Sequence, residues 1–384
     1  MKNIVIDVNP LMNGSRAVCR CLACMVSELL NQNDDNYNLL SFSNKSKTEQ
    51  YLPDLLFGAK KKVVPIPYRL LVPFWKNLCW PKIETIIPEC DILYTNEFYF
   101  PPTKNALVLA TIHGLAYRII PEKIQPQIVQ SLDQDLSFVI KYADYLIAVS
   151  ETTKKELIAQ VGIPPNRIYV VTHGVDKQFR KIENLSEVWN RLKKNFAFIR
   201  PYILYVGAIG MHKNIMGILS AYHKLSHEMS RDLVLAGPPD SAWDSAQRFV
   251  YDSGLSENVH FLGHVNKTGD LSDIYNGADL FVFPSFYEGW TSPPLEAMAC
   301  GTPVITSNCS SLPETVGHAA ILIDPNDSEA LAHEMKRVLS NKELQIELIE
   351  KGLAHVSSHT WEKAAQKMVE VFADVMARGP WEKR

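Results

Sequence analysis

Glu288 and Glu296 stand with seven residues between them in the segment Phe283-Pro284-Ser285-Phe286-Tyr287-Glu288-Gly289-Trp290-Thr291-Ser292-Pro293-Pro294-Leu295-Glu296-Ala297-Met298-Ala299-Cys300-Gly301-Thr302-Pro303. The pattern reads as a strand, a tight loop, a short helix and a second strand. Pro294 suits a first helical position and Gly301 the position just past a helix end. Leu295, Met298 and Ala299 supply an apolar face. The loop amides of Gly289, Trp290, Thr291 and Ser292, with the helix start behind them, form a site for an anion such as a diphosphate. Glu288, in the loop, and Glu296, in the first helical turn, are acceptors for hydroxyl groups. Two acceptors flanking an anion site suit a ligand with a polyol at each end and phosphate between. The plain alternative is a surface loop acid plus a helix-start acid stabilised by the dipole. The loop pattern favours binding.

Such a loop needs a strand to carry it, and the chain supplies two series of them. Asn3–Val8, Leu39–Phe42, Asp91–Tyr94, Leu107–Ile112 and Tyr145–Val149 are short apolar runs with few charges, as buried parallel strands require. Helical patterns such as Val18–Leu30 and Ile128–Lys141 separate them. A second series begins at Tyr202-Ile203-Leu204-Tyr205-Val206-Gly207. It continues through Leu233–Gly237, Val259–Gly263, Leu280–Phe283 and Pro303–Thr306. Strand–helix alternation implies α/β architecture with two doubly wound parallel sheets, whose ligands sit beyond the carboxyl ends of the strands. The expected domains are 1–180 and 181–360, with a hinge around Lys177–Arg200. The terminal helix (Trp361–Met376, within 361–384) is expected to pack back on the first domain.

Bulk properties narrow the classes. The chain has 384 residues, 46% hydrophobic and 21% charged, which suits two globular domains. A net charge of −3 predicts no nucleic-acid partner. Met1-Lys2-Asn3 leads directly into a strand-like Ile4-Val5-Ile6, so no signal peptide is expected, and no apolar run reaches the roughly 20 residues of a membrane span. Seven cysteines at scattered spacing predict a reducing compartment, hence a cytoplasmic location. Cys19, Cys21 and Cys24 read as small apolar fillers of a helix rather than as metal ligands.

Glu288…Glu296 resembles the E-x7-E motif of glycosyltransferase family 4, and Pro293-Pro294-Leu295-Glu296-Ala297-Met298-Ala299-Cys300-Gly301-Thr302-Pro303-Val304 resembles that family's most recognisable block. Asp7-Val8-Asn9-Pro10-Leu11, Ala148-Val149-Ser150-Glu151, His173-Gly174-Val175-Asp176 and Leu312-Pro313-Glu314-Thr315-Val316-Gly317 extend the likeness over nearly the whole chain, in order. The resemblance implies a GT-B fold, two Rossmann-like domains facing an interdomain cleft, and a retaining, metal-independent glycosyltransferase. It assigns Glu288 to the donor sugar, Glu296 to the ribose and Lys213 to the diphosphate. It places His113 near the reacting face of the sugar. Gly207, His212, His264 and Val265 join the donor site, the last two by cradling the base. Gly14 and Arg20 belong to an acceptor and phosphate loop; Arg20 alternatively forms an ordinary helix ion pair. Lys213 and His113 also have ordinary readings, as a solvated helix-start lysine and a structural histidine.

Departures from the pattern are specific. His212 replaces a common Arg, a weaker and pH-dependent cation. Ala208 stands where some members carry a second phosphate-binding Arg. Ala17 and Cys19 fall where Gly is common, Gly114 where an acid often follows the histidine, and Thr291 where Gly is frequent. They lower the positive charge and flexibility expected around a diphosphate. No residue is an evident nucleophile, and no Asp-x-Asp at a strand end suggests a metal clamp; Asp133-Gln134-Asp135 falls in a helical pattern, as a solvated face. The resemblance implies front-face transfer, with the leaving phosphate helping to deprotonate the acceptor. No cofactor is expected, the nucleotide-sugar being a substrate, with GDP-mannose the preferred donor of the most similar subgroup. The stretch from Lys60-Lys61-Lys62 through Tyr68–Lys76 to Trp80 mixes cations with aromatics, which suits either peripheral association with the inner membrane or an exposed loop. With the membrane, the acceptor would be a lipid-linked saccharide of polysaccharide or O-antigen assembly. The competing reading is a catalytically impaired homologue that binds a nucleotide or a partner. A third reading is a GT-B phosphorylase or a sugar epimerase, the epimerase lacking support because the two-glutamate block fits a different ligand pose.

Overall fold

The computed structural model describes residues 2–13, 16–32, 35–43, 59–198, 200–265 and 268–381. The chain divides into two units. The first takes in Met1–Leu115, Pro126–Gly174 and Trp361–Arg384; the second takes in Ala116–Gln125 and Val175–Thr360.

The first unit holds seven parallel strands: β1 (Asn3–Asp7), β2 (Asn36–Phe42), β3 (Lys60–Val64), β4 (Ile92–Thr95), β5 (Leu107–Ile112), β6 (Tyr145–Ala148) and β7 (Ile168–Val170). Their order is β3-β2-β1-β4-β5-β6-β7. Ile4, Ile6, Ile92, Leu109 and Ile147 are buried in its core together with Leu22, Val26 and Leu29 of the helix Arg16–Gln32. Both faces of a parallel sheet must be covered, so these strands carry apolar residues without alternation. β3 and β7 were not foreseen: one is a lysine-rich edge and the other only three residues long.

The second unit orders its strands β10-β9-β8-β11-β12-β13, again all parallel. They are β8 (Tyr202–Val206), β9 (Asp232–Ala236), β10 (Val259–Gly263), β11 (Leu280–Phe283), β12 (Val304–Ser307) and β13 (Ile321–Ile323). The expected hinge is instead part of this unit. Leu185–Phe196 is a helix whose one face is buried through Val188 and Leu192, and Phe179 and Phe198 on either side of it also lie in the core. Side-chain caps fix other helices: Ser150 Oγ accepts from Thr153 N–H at 2.9 Å, and Asp327 Oδ1 from Ala330 N–H at 2.8 Å.

The terminal helix Trp361–Arg378 belongs to the first unit. Trp361, Ala365, Met368 and Phe372 are buried in its core, Trp361 stacks on His173 and Phe372 meets Tyr94 edge-on at 6.0 Å. Tyr169 O–H donates to Asp374 at 2.5 Å. Phe372→Ala is therefore expected to cost the first unit about 3–5 kcal/mol, measured by urea denaturation. A loss below about 1 kcal/mol would mean that the helix contributes little to that core.

Candidate functional site

In each sheet the strand order reverses once, and such reversals open the crevice where α/β sheets bind ligands. In the second unit the reversal lies between β8 and β11. The two loops that leave these strands are joined. Lys213 Nζ donates to Glu288 Oε1 at 2.5 Å and lies 5.4 Å from the centre of the Phe283 ring. Phe286 N–H donates to His212 O at 2.9 Å. A third loop clamps Glu288: Ser310 Oγ accepts from its N–H at 2.7 Å, and the Ser310 and Ser311 hydroxyls donate to its carbonyl at 2.6 and 2.8 Å. Gly207 N–H donates to Ala236 O, and a Cβ on Gly237 would stand 1.7 Å from Gly207 O. Only glycine permits that approach of the β8 and β9 ends.

Glu296 is buried in the helix Pro293–Ala299, whose residues from Pro294 onward are all buried. Tyr275 O–H donates to Glu296 Oε2 at 3.0 Å. The apolar side is thus wider than Leu295, Met298 and Ala299, and Pro293 rather than Pro294 opens the helix. This helix end offers fewer donors than expected. Pro293 and Pro294 have no N–H, and Glu296 N–H donates to Ser292 O at 2.8 Å. An anion here would rest chiefly on the loop Gly289–Ser292 and on Lys213. Thr291 is buried and Ser292 half-buried. Trp290 Nε1, in this loop, and Ser285 Oγ, shortly after β11, are buried without a hydrogen-bond partner among the described residues. His264 is exposed and Val265 packs on the core, just after β10. Burial, then the neighbouring Lys213, holds the His212 pKa below its usual value, so His212 is neutral at neutral pH and Lys213 supplies the positive charge. The segment Ala116–Gln125 also reaches this unit: Lys123 Nζ sits 3.8 Å over the Phe286 ring.

In the first unit the reversal lies between β1 and β4. Asp7, fully buried at the end of β1, accepts from Asn9 N–H at 3.0 Å, Asn9 Nδ2 at 2.6 Å and Thr95 Oγ1 at 3.4 Å. Burial outweighs these bonds and raises its pKa to about 7. Glu97 rises to about 8 through burial and the charge of Asp7. His113, after β5, pairs through Nε2 with Asn96 Oδ1 at 3.2 Å, and burial lowers its pKa to about 4. An Nε2-protonated neutral ring donates there and leaves Nδ1 as an acceptor. His173 lies 5.9 Å away and is lowered to about 3 by burial and by His113. Gly114 has φ +128, a region that an acidic side chain would adopt only with strain, so the departure at this position matches its backbone. Cys19 and Arg20 are half-buried on the helix Arg16–Gln32, with Cys19 Sγ 2.8 Å from Pro10 O; Ala17 is on the same helix, and Gly14 falls outside the described residues. Asp133 and Asp135 are half-buried rather than solvated, and Tyr99 O–H donates to Asp135.

Lys213, Glu288 and Glu296 thus come together with Gly207, His212, Gly289, Trp290, Thr291 and Ser292 in one unit, while His113 and Arg20 belong to the other. Tyr275, Ser310 and Ser311 were missed because they lie in separate segments with no spacing rule linking them to Glu288. Asp7 and Glu97 were missed because burial, their distinguishing property, depends on strand order.

Two parallel, doubly wound units of this topology constitute the GT-B fold. The solved structure of Anabaena Alr3699/HepE in complex with UDP and glucose matches with a TM-score of 0.75 at 16% identity, covering 97% of this chain and 100% of that one. The family model "Glycosyl transferases group 1" matches residues 187–355 and "Glycosyltransferase Family 4" matches residues 31–179. The O-antigen chain mannosyltransferase B of Escherichia coli is 29% identical over 334 residues, 85% of this chain and 84% of that protein. The serotype-specific mannosyltransferase WbdA of Escherichia coli is 30% identical over 238 residues, 61% of this chain but 29% of WbdA. The chain belongs to glycosyltransferase family 4, and it is a glycosyltransferase.

The buried acid at the first reversal carries a pH signature. Native Asp7 keeps its proton up to about pH 7, whereas the unfolded side chain releases it near 3.8. The native state therefore binds the extra proton between these values, and the group's contribution to stability falls as pH rises through that window. The stability difference between Asp7→Asn and the wild type should shift in favour of the variant from pH 4 to pH 7 and level off above, as read from urea midpoints. A difference independent of pH would contradict the buried, protonated carboxyl.

Proposed function

We propose that this glycosyltransferase moves a hexose, with mannose from GDP-mannose the preferred case, onto a lipid-linked saccharide in O-antigen-type polysaccharide assembly. The observation that carries the reading is the joining of Lys213 and Glu288 where the second sheet reverses order, with Glu296 buried on the helix that follows the Glu288 loop. A nucleotide-sugar asks for three things there: a cation for the diphosphate, an acceptor for sugar hydroxyls and an acceptor for the ribose. Lys213 exchanges its bond to Glu288 for the diphosphate, Glu288 then accepts from the sugar hydroxyls, and Glu296, braced by Tyr275, accepts from the ribose. Trp290 Nε1 and Ser285 Oγ are buried polar groups of the kind that a hydroxyl-rich ligand satisfies. Relatives named as O-antigen mannosyltransferases support the choice of sugar and product, and the UDP bound in the HepE complex keeps a second base in view.

In the transfer, the bond from C1 of the sugar to the β-phosphate oxygen breaks and a bond from C1 to the acceptor oxygen forms. The acceptor proton passes to the departing phosphate on the same face, which retains configuration. The negative charge that grows on the leaving group meets Lys213 and the loop amides, preorganised donors that need no rearrangement in the transition state. This assignment requires no metal: the cation in place is Lys213, and Asp133-Gln134-Asp135 lies within the helix Pro126–Tyr142, away from any strand end. His113, neutral and oriented by Asn96 in the first unit, is assigned to the reacting face of the sugar. Arg20, with Gly14, serves the acceptor side. The work is placed at the cytoplasmic face of the membrane.

The neutral His212 and the Ala208 beside Gly207 favour one second reading, a donor-impaired homologue that binds a partner. A thermal-shift panel of UDP, GDP, ADP and their sugar conjugates, with EDTA present, separates the two. Transfer predicts a rise in Tm with one nucleotide family, since a ligand of the native state adds stability by mass action. Glu296→Ala should weaken that shift, and Glu288→Ala should keep it while lowering turnover. No shift with any nucleotide moves the reading to the impaired homologue, and full activity in both variants contradicts the site assignment.

A further inference from the structure

The helix Tyr68–Leu78 is fixed from one side and left apolar on another. Leu71 and Trp75 point inward and are buried. Trp75 meets Phe42 edge-on at 5.1 Å and Tyr68 at 5.6 Å, and Tyr68 O–H donates to Tyr99 O at 2.5 Å. The helix is therefore anchored at the carboxyl end of β2, the edge of the first sheet where Asp7 and Asn96 also lie. Beside this inner face runs a second row. Ile66, Leu70, Phe74 and Leu78 recur every fourth residue, with exposures of 42%, 61%, 44% and 66%, and Trp80 follows at 60%. Five of the fourteen exposed large hydrophobic residues among the described ones thus fall within positions 66–80. Scattered singly, such residues need no explanation; a row of them does.

The charge around this row has one sign. Lys60, Lys61, Lys62, Arg69, Lys76 and Lys82 are the charged residues between positions 60 and 83, without a single acid, in a chain whose net charge is −3. Lys60–Lys62 are exposed on the edge strand β3, which leads directly into the helix, and Lys76 is steadied by Tyr99 Oη at 2.8 Å. Lysines on an edge strand also discourage edge-to-edge pairing. That role accounts for neither the apolar row nor the cations of the helix itself.

We propose that this helix and β3 form a docking surface for an anionic lipid bilayer. The row Ile66, Leu70, Phe74, Leu78 and Trp80 enters the boundary between headgroups and acyl chains, and the six cations engage the anionic headgroups around it. An 11-residue helix is about 16 Å long, so it lies in the surface, and no helix among the described residues is long and apolar enough to cross a membrane. The proposal deepens the transfer reading and rests on it for its purpose: docking brings a lipid-borne acceptor to the carboxyl edge of the first sheet.

The test is co-sedimentation of the full chain with vesicles of phosphatidylcholine alone and of phosphatidylcholine with an equal part of phosphatidylglycerol. The expected result is binding to the anionic vesicles that weakens with salt, and little binding to the neutral ones. The surface variant Leu70→Ser/Phe74→Ser/Leu78→Ser should lose more than about tenfold in partitioning. Lys60→Gln/Lys61→Gln/Lys62→Gln should lose about a hundredfold. Wild-type protein that stays in the supernatant with anionic vesicles would overturn the proposal, as would apolar variants that bind undiminished. A lipid-free dimer that the serine variant breaks, without vesicle binding, would assign the row to a second copy of the chain instead. Nucleotide-induced thermal shifts should be the same in all three proteins. Their loss throughout, with vesicle binding intact, would sink the transfer reading and leave the docking surface standing.

Discussion

The second unit turns on one ion pair, Lys213 with Glu288, placed where its sheet reverses order. Both side chains are largely withdrawn from water, and such a pair is held only if its surroundings fix the geometry. They do so through the backbone. Ser310 and Ser311 fix Glu288 by its N–H and carbonyl, and the Phe286 N–H bond to His212 O ties the two loops together. Gly237 lets the β8 and β9 ends pack at a distance that no Cβ would permit. The loops that carry Lys213 and Glu288 are thereby held by bonds that do not depend on the ion pair itself.

The first unit solves the corresponding problem in the opposite way. At its reversal no cation pairs the acids Asp7 and Glu97 in the bonds described, and burial holds both carboxyls toward the protonated form near neutrality. His113 and His173 are held neutral by the same desolvation. One reversal thus carries an ion pair, while burial at the other biases its acids and histidines toward their neutral forms. That division suits a reaction in which one substrate brings a diphosphate and the other brings hydroxyl groups.

Strand series, sheet type and the terminal helix were legible because buried parallel strands are continuous apolar runs and the helix shows a clear periodicity. Lys60–Val64 was not, since an edge strand exposed to solvent carries no such run, and neither was Ile168–Val170, which is too short to have a pattern. The stretch Lys177–Arg200 looked like a linker for its polar residues, but Val188 and Leu192 at helical spacing were sufficient to fold it into the second core. At the candidate site, the loop pattern singled out Glu288 and Glu296, and the family likeness singled out Lys213. Tyr275, Ser310 and Ser311 were not, since they act on those residues through distance in space and not in sequence.

The most direct test of the account is calorimetric titration of GDP and of UDP into the wild type and into Lys213→Met. If Lys213 neutralises a diphosphate at the reversal of the second sheet, one of the two nucleotides should bind the wild type, and the variant should bind it at least about tenfold more weakly. Equal affinity in the two proteins would contradict the account, because the charge at its centre would then have no part in holding the ligand.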